Sequence, residues 1–161
     1  MNVLDQEAGM DLILWRHADA EDGAPDDGRK LTKKGLKQAA QMAAWLKLRL
    51  PNDTRILVSP ALRAQQTAQA LDMDFKTSKA LAPGVQAVSV LAAAGWPDGG
   101  GTVLVVGHQP TLGQVAALLL AGEEAGWNIK KAAIWWFTNR VRQDENQVVL
   151  RAVMSPEFVQ E

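Results

Sequence analysis

The stretch Leu12-Ile13-Leu14-Trp15-Arg16-His17-Ala18 decides the fold of this 161-residue chain. An apolar run that ends abruptly in Arg-His reads as a buried strand carrying two basic side chains to the edge of a sheet, where open α/β sheets bind ligands. Two later stretches repeat the device. Ser59-Pro60-Ala61-Leu62-Arg63-Ala64-Gln65-Gln66-Thr67 follows a short β-like run, and Val105-Val106-Gly107-His108-Gln109-Pro110 closes another. Arg16, His17, Arg63 and His108 are therefore expected at neighbouring strand ends.

On the N-terminal side, Met1 to Gly9 is polar and aperiodic and reads as a flexible extension, leaving residues 10–161 as a single domain. Beyond the first strand, Asp19 to Arg29 is rich in Asp, Gly and Pro, which is loop chemistry. Thr32 is placed to cap a helix of about five turns, in which Leu36, Ala39, Ala43, Leu46 and Leu50 recur at helical spacing until Pro51-Asn52-Asp53 stops it. Arg55 to Val58 reads as a strand. Ser59 as N-cap and Pro60 at the first helical position predict a helix over 60–71 with Arg63 in its first turn. Asp74 to Thr77 predicts a short strand, and Val85 to Ala94 a helix ended by Gly95-Trp96-Pro97. Thr102 to Gly107 predicts a buried strand, and His108-Gln109-Pro110-Thr111 opens a helix whose Leu112, Val115, Ala116, Leu119 and Leu120 face the core. Ala132 to Thr138 and Gln147 to Val153, around the polar turn Gln143 to Asn146, predict a terminal β-hairpin. Alternating strands and helices followed by a hairpin define an α/β fold. It has three layers, α/β/α, with a mostly parallel central sheet and an antiparallel element at one side.

The totals narrow the function classes. A formal net charge of -1 offers no global attraction to nucleic acid or an anionic membrane, so an anion must be bound by a local basic pocket. No apolar run approaches the roughly 20 residues of a membrane helix, and no leader-like segment opens the chain. With no cysteine there is no disulfide, thiolate nucleophile or Cys-metal site, and a cytoplasmic location is the expectation. The two histidines both fall in the strand-end motifs, which leaves no third imidazole for a His-based metal site. No metal and no cofactor are expected.

Four such groups at one sheet edge suit phosphoryl transfer, which depends on positioning and charge neutralisation. Arg16 and Arg63 can grip non-bridging oxygens bidentately at any working pH. Arg63, in an opening helix turn, adds to free N–H groups and the positive end of the helix dipole. A neutral imidazole held by one nitrogen can attack phosphorus with the other, and that role is assigned to His17. His108 can donate to the phosphoryl group as charge moves onto it.

The segments Leu14 to Ala20, Arg29 to Gly35, Val58 to Ala68 and Val106 to Pro110 together resemble the histidine phosphatase superfamily, also called phosphoglycerate-mutase-like. Within it, the short chain and the Arg-His-Ala-Asp-Ala form are similar to the SixA-type protein phosphohistidine phosphatases. The resemblance implies His17 as nucleophile and Arg16, Arg63 and His108 as the phosphate pocket, with Ser59 and Arg29 supporting. It also implies a three-layer fold and a histidine-phosphorylated phosphotransfer protein as partner. Larger members carry a Glu or Asp general acid in an insertion that this chain lacks, and Leu81-Ala82-Pro83-Gly84 offers no carboxylate there. An imidazole leaving a phosphoramidate needs such an acid less than an alkoxide does, which favours phosphohistidine over phosphate esters. Asp19 is the candidate substitute acid, set against an equal reading as a solvated loop carboxylate.

Taken singly, Arg16 and Arg63 fit surface ion pairing and His17 and His108 fit satisfied histidines at sheet ends; the four gain meaning jointly. Two other functions stay open: a small-molecule phosphomonoesterase using the same pocket, and a phosphate or phosphoprotein-binding module without turnover. The six tryptophans read mostly as packing. Lys33-Lys34 and Lys130-Lys131 read as solvated ends or as contacts for an acidic partner domain, with no role assigned. A monomer is the expected state.

Overall fold

The computed structural model describes residues 9–159. The expected extension lies outside the described residues except for Gly9, which sits so close to the main chain of Asn139 that no side chain would fit. Six strands and four helices follow in the order β1 (Met10–Arg16), α1 (Lys33–Lys47), β2 (Arg55–Val58), α2 (Leu62–Gln69), β3 (Lys76–Thr77), α3 (Ala87–Ala94), β4 (Gly101–Gly107), α4 (Thr111–Ala121), β5 (Ile134–Arg142) and β6 (Glu145–Met154). The sheet order is β3-β2-β4-β1-β5-β6. β1, β4, β2 and β3 run parallel, whereas β5 joins β1 and β6 joins β5 antiparallel.

Because successive strand residues point to opposite faces, a continuous apolar run needs a core on each side. β1 has both. Ile13 and Trp15 pack with Met42 and Leu46 of α1 and Ala64 and Ala68 of α2. Leu12 and Leu14 pack with Val90 of α3 and Leu112 and Val115 of α4. Trp15 is fully buried, and its indole N–H donates to the Ala132 carbonyl at 2.9 Å, so its large apolar body carries no unmet donor. Among the described residues no helix is long and apolar enough to cross a membrane.

The parallel pairing positions the site. β1 and β2 flank β4 in a register that sets Arg16 opposite Gly107 and Val58 opposite Val106. The ladder continues one step past both strands: the His17 N–H donates to the Gly107 carbonyl at 3.1 Å and the Ser59 N–H to the Val106 carbonyl at 3.1 Å. His17, Ser59 and His108 thus leave the sheet together at one edge.

Several element ends differ from expectation. α1 stops at Lys47, and its buried stripe is Gly35, Ala39, Met42, Ala43 and Leu46, with Leu36 52 % exposed. The stripe begins on Gly35 because the Asp19 main chain approaches there too closely for a side chain. α2 begins at Leu62 with Ala61 at the capping position, so Ser59 is not the N-cap. β3 is only two residues long. Leu120 turns outward at the end of α4, 38 % exposed. The hairpin strands run longer than expected because Gln143 and Asp144 both take positive φ, the tight two-residue turn that matches strand twist.

Candidate active site

The end of β1 fixes the first imidazole. His17 is buried, and its Nδ1 lies 2.8 Å from the Ala18 carbonyl. A carbonyl only accepts, so Nδ1 carries the proton and Nε2 holds the lone pair. The turn that bears this ring is braced on three sides. The Ala18 N–H donates to Thr67 Oγ1 at 3.0 Å, the Asp19 N–H to Gln38 Oε1 at 3.0 Å, and the Ala132 N–H to the His17 carbonyl at 3.1 Å.

His108 stands with its ring centroid 5.2 Å from that of His17. Its Nε2 lies 2.7 Å from Ser59 Oγ, which also accepts from the Ala61 N–H at 3.2 Å. Ser59 Oγ has a second lone pair as well as its hydrogen, so the contact admits either His108 tautomer; when the hydroxyl donates to Nε2, Nδ1 is the protonated ring atom. That Nδ1 is buried and has no hydrogen-bond partner among the described residues. The sequence reading put Ser59 at a helix cap and, by resemblance, in support of the phosphate pocket; in the structure Ala61 caps the helix and the serine hydroxyl bonds His108 Nε2.

The guanidiniums are anchored by their far ends. Arg16 Nη1 donates to the Ile129 carbonyl at 2.9 Å. Arg63, the second residue of α2 and buried, donates from Nη1 to the Asp26 carbonyl at 2.8 Å and from Nη2 to the Asp26 carboxylate at 3.1 Å. In both arginines Nε is buried without a partner among the described residues. Arg29 joins through the same carboxylate, its Nε 3.1 Å from Asp26 Oδ1. Asp26 had no role in the sequence reading. Its only cue was membership of the Asp/Gly/Pro loop, since nothing local says which loop carboxylate will face an arginine brought in by α2.

Charge follows burial. The His17 pKa is pushed down to about 4, mainly by loss of solvation and further by Arg63, Arg16 and Arg29, against the opposing bond to Ala18. That of His108 falls to about 3, again mainly by burial, then by His17 and Arg63. Both rings are therefore neutral near pH 7. Asp26 is held below its ordinary value chiefly by the hydrogen bond from Arg63. Asp19 is lowered chiefly by Lys131, 2.8 Å away, and then by Thr32, whose hydroxyl donates to Asp19 Oδ2 at 2.6 Å. Neither aspartate carries a proton to give at neutral pH.

The edge thus combines an imidazole lone pair, a second imidazole with Nδ1 unpartnered among the described residues, and two anchored guanidiniums. Such a set has the chemistry to hold a tetrahedral oxyanion and to offer nitrogen as a nucleophile.

Comparison with known proteins agrees. Residues 12–88 match the family model of the histidine phosphatase superfamily (branch 1). The chain is 36 % identical over 123 residues to the phosphohistidine phosphatase SixA of Escherichia coli strain K12, covering 71 % of this chain and 76 % of that one. It is 36 % identical over 126 residues to a SixA homolog of Haemophilus influenzae, covering 68 % and 77 %. Among solved structures, the protein histidine phosphatase SixA complexed with tungstate superposes with a TM-score of 0.74 at 30 % identity, covering 91 % of this chain and 97 % of that one.

Proposed function

The chain belongs to the histidine phosphatase superfamily, and on that premise we propose that it hydrolyses phosphohistidine on a partner protein through a covalent intermediate at His17. His17 Nε2 attacks phosphorus in line, a new N–P bond forms, and the N–P bond of the substrate breaks. Its electron pair returns to the substrate imidazole, which departs neutral when its distal nitrogen already carries a proton. Water then attacks the phosphorus on His17, releasing phosphate and restoring the neutral imidazole. Arg16 and Arg63 hold the non-bridging oxygens, and His108 donates from Nδ1 as charge builds on them. Ser59 donates to His108 Nε2, and Arg29 acts through Asp26. All these groups come from one chain, which supports a monomer as the working unit.

The observation that supports the choice of substrate is that both nearby carboxylates are engaged elsewhere, Asp19 with Lys131 and Thr32 and Asp26 with Arg63 and Arg29. Asp19 anchors the nucleophile's turn to α1 and Lys131, and we assign it that positioning role in place of general acid. A site without a protonated carboxyl suits a leaving group that needs no proton from the enzyme.

The test is phosphate release from a phosphohistidine peptide and from p-nitrophenyl phosphate, with His17→Ala as control. The phosphohistidine peptide should be the better substrate, with release lost in the variant. Faster turnover of the ester, with hydrolysis of an alkyl phosphate that collapses in Asp19→Asn, would favour the small-molecule phosphatase. Tight phosphate binding without release from either would favour the binding module.

A further inference from the structure

Beside the nucleophile's turn lies a groove of about 560 Å³ walled by Lys34, Lys37, Gln38 and Gln41 of α1, by Lys130 and Lys131 ahead of β5, and by the closing turn that includes Glu157. Its walls are bonded to the turn that bears His17. Gln38 accepts from the Asp19 N–H, Lys131 Nζ contacts the Asp19 carboxylate, and the residue after Lys131 donates to the His17 carbonyl. Four lysines meet here in a chain whose formal net charge is -1, and Glu157, tied to Lys130 at 3.0 Å, is the one carboxylate in the wall. The first turn of α1 carries no acidic residue, although the positive end of a helix favours one. Glu157 in the wall and Asp19 beside it, which Thr32 holds at the head of α1, pair with Lys130 and Lys131, so four lysines meet two carboxylates at this end of the helix. Lys130 and Lys131 are 69 % and 49 % exposed, so their charges face outward as well as inward.

A phosphoryl group seated on Arg16 and Arg63 needs no further cation some residues away, whereas the protein surface around it does meet this groove. We propose that the lysine groove docks an acidic face of the phosphohistidine-bearing partner, its Asp and Glu side chains lying against Lys34, Lys37 and Lys130 while the phosphohistidine reaches His17. The inference rests on the hydrolytic reading above and names the chemistry of its partner.

Two synthetic peptides carrying a central phosphohistidine test it, with about six residues on each side, roughly 20 Å when extended. One has Asp and Glu flanks and the other Asn and Gln at the same positions. At low ionic strength the acidic peptide should show a kcat/KM about tenfold higher, expressed in KM. The gap should close to within about twofold in about 0.5 M salt and in the triple variant Lys34→Gln/Lys37→Gln/Lys130→Gln, with the neutral peptide unchanged in both. Lys131 is left in place because it holds Asp19. Equal values for the two peptides in the wild type, or a gap that survives the triple variant, overturns the docking surface. Turnover of neither peptide overturns the hydrolytic reading instead. Docking is then read from binding of the unphosphorylated, fluorescent acidic peptide: weakening by about fivefold or more in the triple variant supports it, and equal affinities refute it.

Discussion

Replacing Gly35 by alanine should damage both stability and catalysis, although the same change in an ordinary helix stabilises by about 0.5–1 kcal/mol. A Cβ at this position would stand 1.9 Å from the Asp19 carbonyl oxygen and 2.9 Å from its carbon. Main-chain atoms cannot swing away as a side-chain tip can, so α1 and the His17 turn must part by roughly 1–1.5 Å. That movement strains the Thr32 N–H bond to the Asp19 carbonyl at 3.1 Å and the Asp19 N–H bond to Gln38 at 3.0 Å. Overpacking of this kind costs about 1–3 kcal/mol and each of the two weakened hydrogen bonds about 1 kcal/mol, so the net loss should be about 2–4.5 kcal/mol after the helix gain is subtracted. A nucleophile shifted by about 1 Å loses on the order of a hundredfold, and kcat should fall ten- to a hundredfold. Urea denaturation and steady-state turnover read the two effects. Ala40→Gly, at an exposed position of the same helix, serves as the control and should lose about 0.5–1 kcal/mol with kcat unchanged. A Gly35→Ala protein as stable as the wild type with unaltered kcat would falsify the close approach and the bracing role derived from it.

Ser59→Ala removes the group directed at His108 Nε2 and leaves a buried ring nitrogen unmet, so stability should drop by about 1–3 kcal/mol and kcat by about tenfold; activity within twofold of wild type would argue against a tautomer set by Ser59. Stability should also depend on pH through the two imidazoles. Their folded pKa values, about 4 and about 3, lie below the ordinary 6.5, so the unfolded chain takes up protons first as pH falls. The free energy of unfolding should be flat above about pH 7.5 and decline by about 2 kcal/mol between pH 6.5 and about 5.5, before carboxylates titrate appreciably. A flat urea midpoint across that window would contradict neutral, buried rings. Asp26→Asn keeps the main-chain acceptor of Arg63 and removes a negative charge beside the anion pocket, so inorganic phosphate should inhibit severalfold more strongly; weaker inhibition would mean that the carboxylate is needed to aim the guanidinium.

The strand-end logic was legible because it rests on local pattern. An apolar run ending in Arg16-His17 and another ending in His108 need only a parallel sheet to meet, and the alternation of elements supplied that expectation. Thr32 capped its helix as its spacing suggested. What local pattern could not carry was long-range partnership. Ser59 looked like a helix cap because serine before proline often is one; its hydroxyl instead serves a histidine 49 positions away. Asp26 looked like loop solvation, and its role depends on Arg63 arriving 37 residues later. Asp19, two residues beyond His17, invited an acid role beside an equal reading as a loop carboxylate, and local pattern did not show that Lys131 reaches it from 112 residues away. Leu36 was counted with the core by helical spacing, whereas the buried face is rotated so that Gly35 can meet a backbone.

The most direct test of the central claim is the chemistry of the trapped intermediate. The enzyme is mixed with a peptide phosphorylated on histidine, quenched in alkali within the first turnover, digested, and the phosphorylated fragment identified by mass spectrometry with the ring position assigned by phosphorus NMR. Because Nδ1 of His17 is committed to the Ala18 carbonyl, the phosphoryl group should be found on Nε2 of His17 and be missing from His17→Ala. Phosphate on Nδ1, on His108, or on no residue while turnover proceeds would contradict the account.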